Sequence, residues 1–93
     1  MRITKLLLLS IFISGAAPAW AGAGDVEYSA WVDCVRHRAR LGSTPDGAMN
    51  GCSDREDTYV TALRGAYDAK KVEATHQYSS RLIRAVAENP RHS

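Results

Sequence analysis

The start of the chain has the pattern of an export signal, and this limits the rest of the chain to a small domain in an oxidising compartment. Arg2 and Lys5 provide a positive start, an apolar run follows, and an A-x-A cleavage motif ends at Ala21. The apolar run is much shorter than the ~20 residues needed to span a bilayer. We therefore expect a cleaved signal peptide over residues 1–21. The mature domain, residues 22–93, should be periplasmic or secreted and not held at the membrane.

Loss of this leader would change the charge balance. The whole chain has 12 Lys and Arg residues against 10 Asp and Glu residues. Arg2 and Lys5 belong to the leader, so the mature domain keeps ten residues of each sign. A balanced domain lacks the basic excess typical of nucleic-acid-binding proteins. The basic run at residues 36–40 fits the C-terminal end of a helix, where positive charge is favourable. We expect no nucleic-acid partner.

The mature domain contains two cysteines, Cys34 and Cys52. An even number of cysteines in an exported chain predicts a disulfide, whereas a cytosolic chain would favour free thiols or a metal site. A structural zinc site needs four ligands, and Cys52 has no histidine or cysteine close to it in sequence. We therefore predict the Cys34–Cys52 disulfide. It would add about 3 kcal/mol to a domain whose core alone supplies about 3–5 kcal/mol.

The first half of the mature domain predicts one long helix and a turn-rich connection. Residues 25–41 carry apolar side chains at helical spacing, with Asp25 as the expected N-cap and Gly42 as the residue that ends the helix. Residues 42–51 are rich in turn formers, with Thr44 and Pro45 able to begin one short helical turn. Ala48 and Met49 are expected to pack the connection against the core. The apolar positions of the first helix are Tyr28, Trp31, Val32, Val35 and Ala39.

The second half predicts a further helix and a long helical stretch. Ser53 and Glu56 form an S-x-x-E capping box. The following face contains Tyr59, Val60, Leu63, Ala66 and Tyr67, and it would continue through Ala74, Tyr78, Leu82 and Ala85. A displaced set contains Val72, Ile83 and Val86, so the stretch either drifts in phase or breaks, with Ser79-Ser80 the best place for a break. No strand pattern occurs, and we predict an all-α fold: a disulfide-stapled helical hairpin or three-helix bundle.

Residues that could carry catalysis lack the necessary context. None of His37, His76 and His92 lies in a recognisable motif, and nucleophilic catalysis needs a histidine, a nucleophile and a carboxylate in one pocket. The carboxylates at residues 54–57 suit the start of a helix, and a domain of this size has little room for the cleft of a glycosidase. We expect no enzyme activity, no cofactor and no bound metal.

Several short motifs resemble one known family. They are Asp33-Cys34, the run from Cys52 to Glu56, and Leu63 followed four residues later by Tyr67. In this order they resemble the N-terminal region of the LprI-like lysozyme-inhibitor family, small exported helical proteins. The resemblance covers residues 33–67. The family often ends in a tryptophan-containing helix with another cysteine, whereas this chain has no tryptophan after Trp31 and no cysteine after Cys52.

The resemblance implies a binding protein that inhibits lysozyme by steric occlusion. The disulfide-clamped segment 43–50 would enter the sugar-binding cleft, and nearby acids would steer the protein towards basic surface around it. Two alternatives remain: a periplasmic chaperone, which would expose Val72, Ile83 and Val86, and an immunity protein for a toxin. The sequence leaves the oligomeric state open. The predicted partner-binding residues are Thr44, Pro45, Asp46, Met49, Asp54, Glu56 and Asp57.

Overall fold

A computed structural model describes residues 22–92, and these form four α-helices and a final 3-10 turn. The helices are α1 (Asp25–Arg40), α2 (Pro45–Gly51), α3 (Ser53–Arg64) and α4 (Ala69–Glu88), and the turn is Pro90–His92. The predicted all-α fold and the predicted disulfide are both confirmed. The predicted signal peptide, residues 1–21, lies outside the described residues. Among the helices described, none combines the length and apolarity needed to cross a membrane.

The C-terminal end of α1 follows the prediction. Gly42 has a φ of 103°, in the left-handed region that glycine adopts most easily. Its amide donates to the carbonyl of Ala39 at 3.1 Å, and the amide of Ser43 donates to the carbonyl of Arg38 at 3.1 Å. These two bonds form a Schellman motif, which satisfies carbonyls that the helix itself leaves unpaired.

The N-terminal end of α1 differs from the prediction. Gly24, not Asp25, occupies the N-cap position, with a φ of 80°. The Asp25 carboxylate accepts instead from the amide of Gly22, at 2.7 Å, so its predicted capping role is wrong. A Cβ at Gly24 would lie 3.1 Å from the ring of Tyr59. Glycine is therefore required here both by backbone conformation and by the close approach of α3.

The turn-rich connection contains a complete short helix. Thr44 caps α2 as predicted, because its hydroxyl oxygen accepts from the amide of Gly47 at 3.0 Å, and Pro45 opens the helix. The helix then continues to Gly51, further than the single turn that three glycines suggested. Packing explains the difference: Ala48 is fully buried and Met49 is half-buried against the core. Tertiary burial thus outweighs the weak helix propensity of glycine.

The predicted capping box of α3 does not form. Cys52 is the N-cap of α3, Ser53 is already helical, and no side chain caps this end. Because α2 continues to Gly51, only Cys52 separates the two helices, and its backbone (φ −112°, ψ 20°) is not the extended conformation typical of a capping residue. The carbonyl of Cys52 accepts from the amides of residues 55 and 56. The side chain of Glu56 makes a different contact, described below.

α4 is one continuous helix, which resolves the question of a break at Ser79-Ser80. Asp68 caps it, with its carboxylate accepting from the amide of Lys71 at 2.8 Å. Val72 and Ile83, from the set that the sequence showed as displaced, pack inward on α4. Ser79 and Ala87 are buried with them. The predicted continuation of the α3 face is wrong, because it assumed an unbroken helical phase across residues 65–68, where the chain turns. Its members Ala74, Tyr78, Leu82 and Ala85 are exposed.

The core draws on all four helices. A buried hydrogen bond of 2.6 Å joins the phenol oxygen of Tyr59 to the hydroxyl oxygen of Ser79, so this serine packs among apolar groups without an unpaired hydroxyl. Trp31 is fully buried and its ring centroid lies 5.6 Å from that of Tyr59, as expected for an aromatic side chain used in packing. The buried apolar residues are Trp31, Val35, Ala48, Cys52, Tyr59, Leu63, Val72, Ile83 and Ala87.

Candidate partner-binding surface

Helix α2 is held at both ends by other helices. At its C-terminal end the disulfide joins Cys52 to Cys34 of α1, with the two Cα atoms 6.0 Å apart. At its N-terminal end Asp46 Oδ1 lies 2.6 Å from Nη2 of Arg84 on α4. An isolated helix of seven residues is unstable in water, so these attachments and the burial of Ala48 keep α2 ordered.

The outward side of α2 is made of small and polar residues. Gly47, Asn50 and Gly51 are exposed. The guanidinium group of Arg38 lies over Gly51, since a Cβ built there would be 2.8 Å from it. The Arg38 side chain therefore borders the backbone at Gly51, whereas Gly47, at the other end of the outward side, is exposed.

The predicted partner-binding residues of α2 divide between structural and exposed positions. Thr44 is exposed but its hydroxyl serves as the cap, and Met49 is half-buried in the core. Pro45 is half-buried at the start of the helix. Asp46 keeps 74% of its side chain exposed despite its ion pair with Arg84. Of these four residues, Asp46 offers the most accessible functional group.

The three predicted acids of α3 are not equivalent. Asp54 and Asp57 are exposed and lie on the first turn and a half of α3, directly after the end of α2. Glu56 points to the other side, where its Oε2 lies 2.6 Å from Nε2 of His76 on α4. The structure therefore places Asp54 and Asp57 beside α2 in sequence, on a solvent-exposed helix start, and directs Glu56 into a contact between helices.

The Glu56–His76 pair was missed by sequence reasoning. Both side chains are about one-third exposed or less, at 26% for Glu56 and 33% for His76. The His76 ring centroid lies 6.1 Å from that of Trp31. The two paired residues are 20 positions apart and share no motif, so only the geometry of the α3–α4 turn could have revealed them.

A groove of about 740 Å³ lies beside this pair, between α3 and α4. Its walls contain His76, with its Glu56 partner, and Tyr67, but no serine, threonine or cysteine. Across residues 22–92, no cluster of three or more His, Cys, Asp or Glu side chains is arranged to hold a metal ion. The groove is lined by Val60, Arg64, Tyr67, Ala69, Val72, Glu73, His76 and Gln77.

Comparisons of the chain with protein-family models, with curated proteins and with solved structures found no match. The resemblance to lysozyme inhibitors thus rests on the short sequence motifs between residues 33 and 67 alone.

Proposed function

We propose that the chain is an exported helical binding protein that acts by covering part of a protein partner and performs no chemistry of its own. One observation carries this proposal: α2 is attached at both ends, by the Cys34–Cys52 disulfide and by the Asp46–Arg84 ion pair, while its outward side stays exposed. A short element held in this way is suited to contact another surface without first having to fold.

An element that is ordered before binding has an entropic advantage when a partner binds. Ordering the backbone of a flexible loop costs about 1–2 kcal/mol per residue, and that cost would reduce the affinity of any partner complex. The seven residues of α2 are already ordered in the free protein. Exposed Gly47 presents no side chain to a partner, and an element that is ordered before binding loses less entropy on binding.

The exposed acids of this surface would attract a basic partner, and exposed Arg38 and Arg55 beside them limit that attraction. Asp54 and Asp57 are exposed next to α2, and Asp46 is largely exposed at its other end. Acidic groups around a contact surface speed the encounter with a cationic protein and contribute less to the final affinity. Lysozymes are usually cationic, and the family resemblance indicates the same partner. We therefore propose lysozyme as the first partner, bound through α2 and the start of α3.

A lysis assay tests this proposal. The exported protein, mixed with several lysozymes, should slow the clearing of a cell-wall suspension in a saturable manner. Unchanged lysis at micromolar excess, together with no binding heat in calorimetry, would reject lysozyme as the partner.

A paired set of variants tests the surface. Asp54→Asn with Asp57→Asn should lower the association rate several-fold at low ionic strength, with less effect at high salt. The matched control is Asp25→Asn with Glu73→Gln, which removes the same charge from exposed positions on α1 and α4. Equal slowing by both pairs would show that only net charge matters and would contradict the proposed surface.

The two alternatives gain no support from a specific contact. The chaperone alternative depended on exposed Val72, Ile83 and Val86, but Val72 and Ile83 are buried and Val86 is half-buried. An immunity protein would be identified by co-purification with a toxin. Lysozyme inhibition therefore remains the proposal to test first.

A further inference from the structure

One face of α4 is exposed along most of the helix. It carries six residues spaced 3, 4, 3, 4 and 3 positions apart, and we call it the α4 stripe. All six are exposed, including Tyr78 at 58% and Glu88 with 54% of its side chain accessible. Leu82, 42% exposed, lies beside it. The stripe consists of Lys71, Ala74, Tyr78, Arg81, Ala85 and Glu88.

This spacing is that of a coiled-coil seam. Residues that alternate three and four positions apart repeat every 3.5 residues on average, which keeps them on the line where two helices meet. An exposed tyrosine near the middle of this line, with the exposed Leu82 beside it, suits a contact surface, because aromatic side chains are enriched at protein interfaces. The stripe therefore has the geometry of a helix-pairing surface.

The order of residue types identifies the partner. Read from either end, the stripe runs charged, small, large, large, small, charged, and the two end charges have opposite signs. We propose that the stripe pairs with the same stripe of a second copy, antiparallel, about a two-fold axis between Tyr78 and Arg81. A two-fold axis makes the same patch meet itself in reverse, as in most homodimers.

Each position then meets a complementary one. Lys71 faces Glu88 of the second copy, and Ala74 faces Ala85, where two small side chains let the helices approach closely. Tyr78 faces Arg81, a pairing in which a guanidinium group lies over an aromatic ring. In a parallel pair, by contrast, Lys71, Arg81 and Glu88 would each face a like charge.

Two contacts within one copy are compatible with this arrangement. The Lys71 ammonium nitrogen lies 4.7 Å from the centroid of the Tyr67 ring, and Oε2 of Glu88 lies 3.7 Å from Nε of Arg84. Both are surface contacts and leave room for rearrangement. The stripe uses residues other than α2 and the start of α3, so this inference is independent of the proposed lysozyme contact.

Sedimentation equilibrium of the exported protein tests the pairing. The helix from Lys71 to Glu88 spans only about 25 Å, so the interface is small and we expect a dissociation constant on the order of 10 to 100 µM. The weight-average mass should rise from one to two chains over roughly 1 to 500 µM, a range that brackets this constant. A single-chain mass at every concentration would overturn the proposal, as would growth beyond two chains.

Charge exchange tests the antiparallel arrangement. Lys71→Glu alone should weaken the dimer at least about tenfold, because two acids then face each other at both ends. Adding Glu88→Lys should restore it. Loss of the dimer in the single variant without recovery in the double variant would contradict antiparallel pairing.

A variant at the centre of the stripe supplies a second test. Tyr78→Asp should abolish the dimer while circular dichroism stays helical. Leu41→Asp, at a leucine that is 74% exposed at the C-terminal end of α1, should leave the dimer unchanged. Pelleting with phosphatidylglycerol vesicles tests another occupant. A monomer that binds these vesicles and loses binding with Tyr78→Asp would assign the stripe to a membrane surface and overturn the proposal.

Discussion

Breaking the Cys34–Cys52 disulfide should remove a large share of the stability of this domain. The two cysteines are 18 residues apart in sequence. The chain-entropy relation for a loop of that length gives about 3 kcal/mol of stabilisation. A domain of about 70 residues is typically stable by about 4–11 kcal/mol. The disulfide therefore accounts for roughly a third of the total or more, and its loss should lower Tm by about 12–24 °C.

Reduction isolates this effect better than mutation alone. Both sulfur atoms remain after reduction, so the fully buried position of Cys52 keeps its packing, whereas Cys52→Ala also leaves a small cavity. Urea unfolding followed by circular dichroism, with and without dithiothreitol, gives the difference in free energy of unfolding. The Cys34→Ala, Cys52→Ala double variant is the control, because reductant should not change its stability.

The same experiment can locate the effect within the fold. α2 is bounded by the disulfide, so amide hydrogens of residues 48–51 should lose exchange protection on reduction before those of α4 do. A change in unfolding free energy below about 1 kcal/mol would refute the reasoning, since the bridge would then restrain the unfolded chain far less than its loop length implies.

Three further predictions concern single side chains. Burial, with smaller contributions from the neighbouring Tyr59 and Tyr78, raises the pKa of Tyr28 above its ordinary value of 10.0. As pH rises past about 10, the unfolded chain loses the Tyr28 proton before the folded protein does, so the free energy of unfolding should fall until the folded pKa is passed. Tyr28→Phe should reduce this loss of stability, measured by urea unfolding at pH 8 and at pH 10.5. Ser79→Ala should lower the free energy of unfolding by about 1–3 kcal/mol, because it leaves the buried phenol of Tyr59 unpaired. The Tyr59→Phe, Ser79→Ala double variant should lose less stability than the two single variants lose together. Asp68→Ala should cost about 1 kcal/mol, measured by thermal unfolding, because α4 loses its N-cap.

Features set by neighbouring residues were predictable from the sequence. Gly42 ends α1 and Thr44 caps α2 because each of these effects depends on backbone conformation within three or four residues. The Cys34–Cys52 pairing followed from the number of cysteines and the expected compartment. The all-α class followed from apolar residues at helical spacing and from the lack of an alternating strand pattern in the sequence.

Features set by tertiary packing were not predictable in the same way. The inward face of α4 depends on how the turn at residues 65–68 resets the helical phase, and hydropathy cannot show that polar Ser79 is buried by its bond to Tyr59. Glu56 satisfied the capping-box pattern, but its carboxylate contacts His76 instead. A pattern shows which contacts a side chain can make, and the arrangement of the helices determines which contact forms.

The candidate surface was predicted in outline only. The sequence located α2 and the acids at the start of α3, because turn formers and acidic residues cluster there. It did not show that Asp46 pairs with Arg84, since these residues are 38 positions apart. Burial of Ala48 and the disulfide, which also depend on distant parts of the chain, hold this segment as an ordered helix.

Titration calorimetry of the disulfide-bonded protein against lysozyme tests most directly the central claim that disulfide-held α2 binds a partner. The Cys34→Ala, Cys52→Ala variant is measured in parallel. We predict saturable one-to-one binding by the disulfide-bonded protein and at least about tenfold weaker binding by the variant, because α2 must then be ordered on binding. No binding at micromolar concentrations, or equal affinity for both proteins, would contradict the claim.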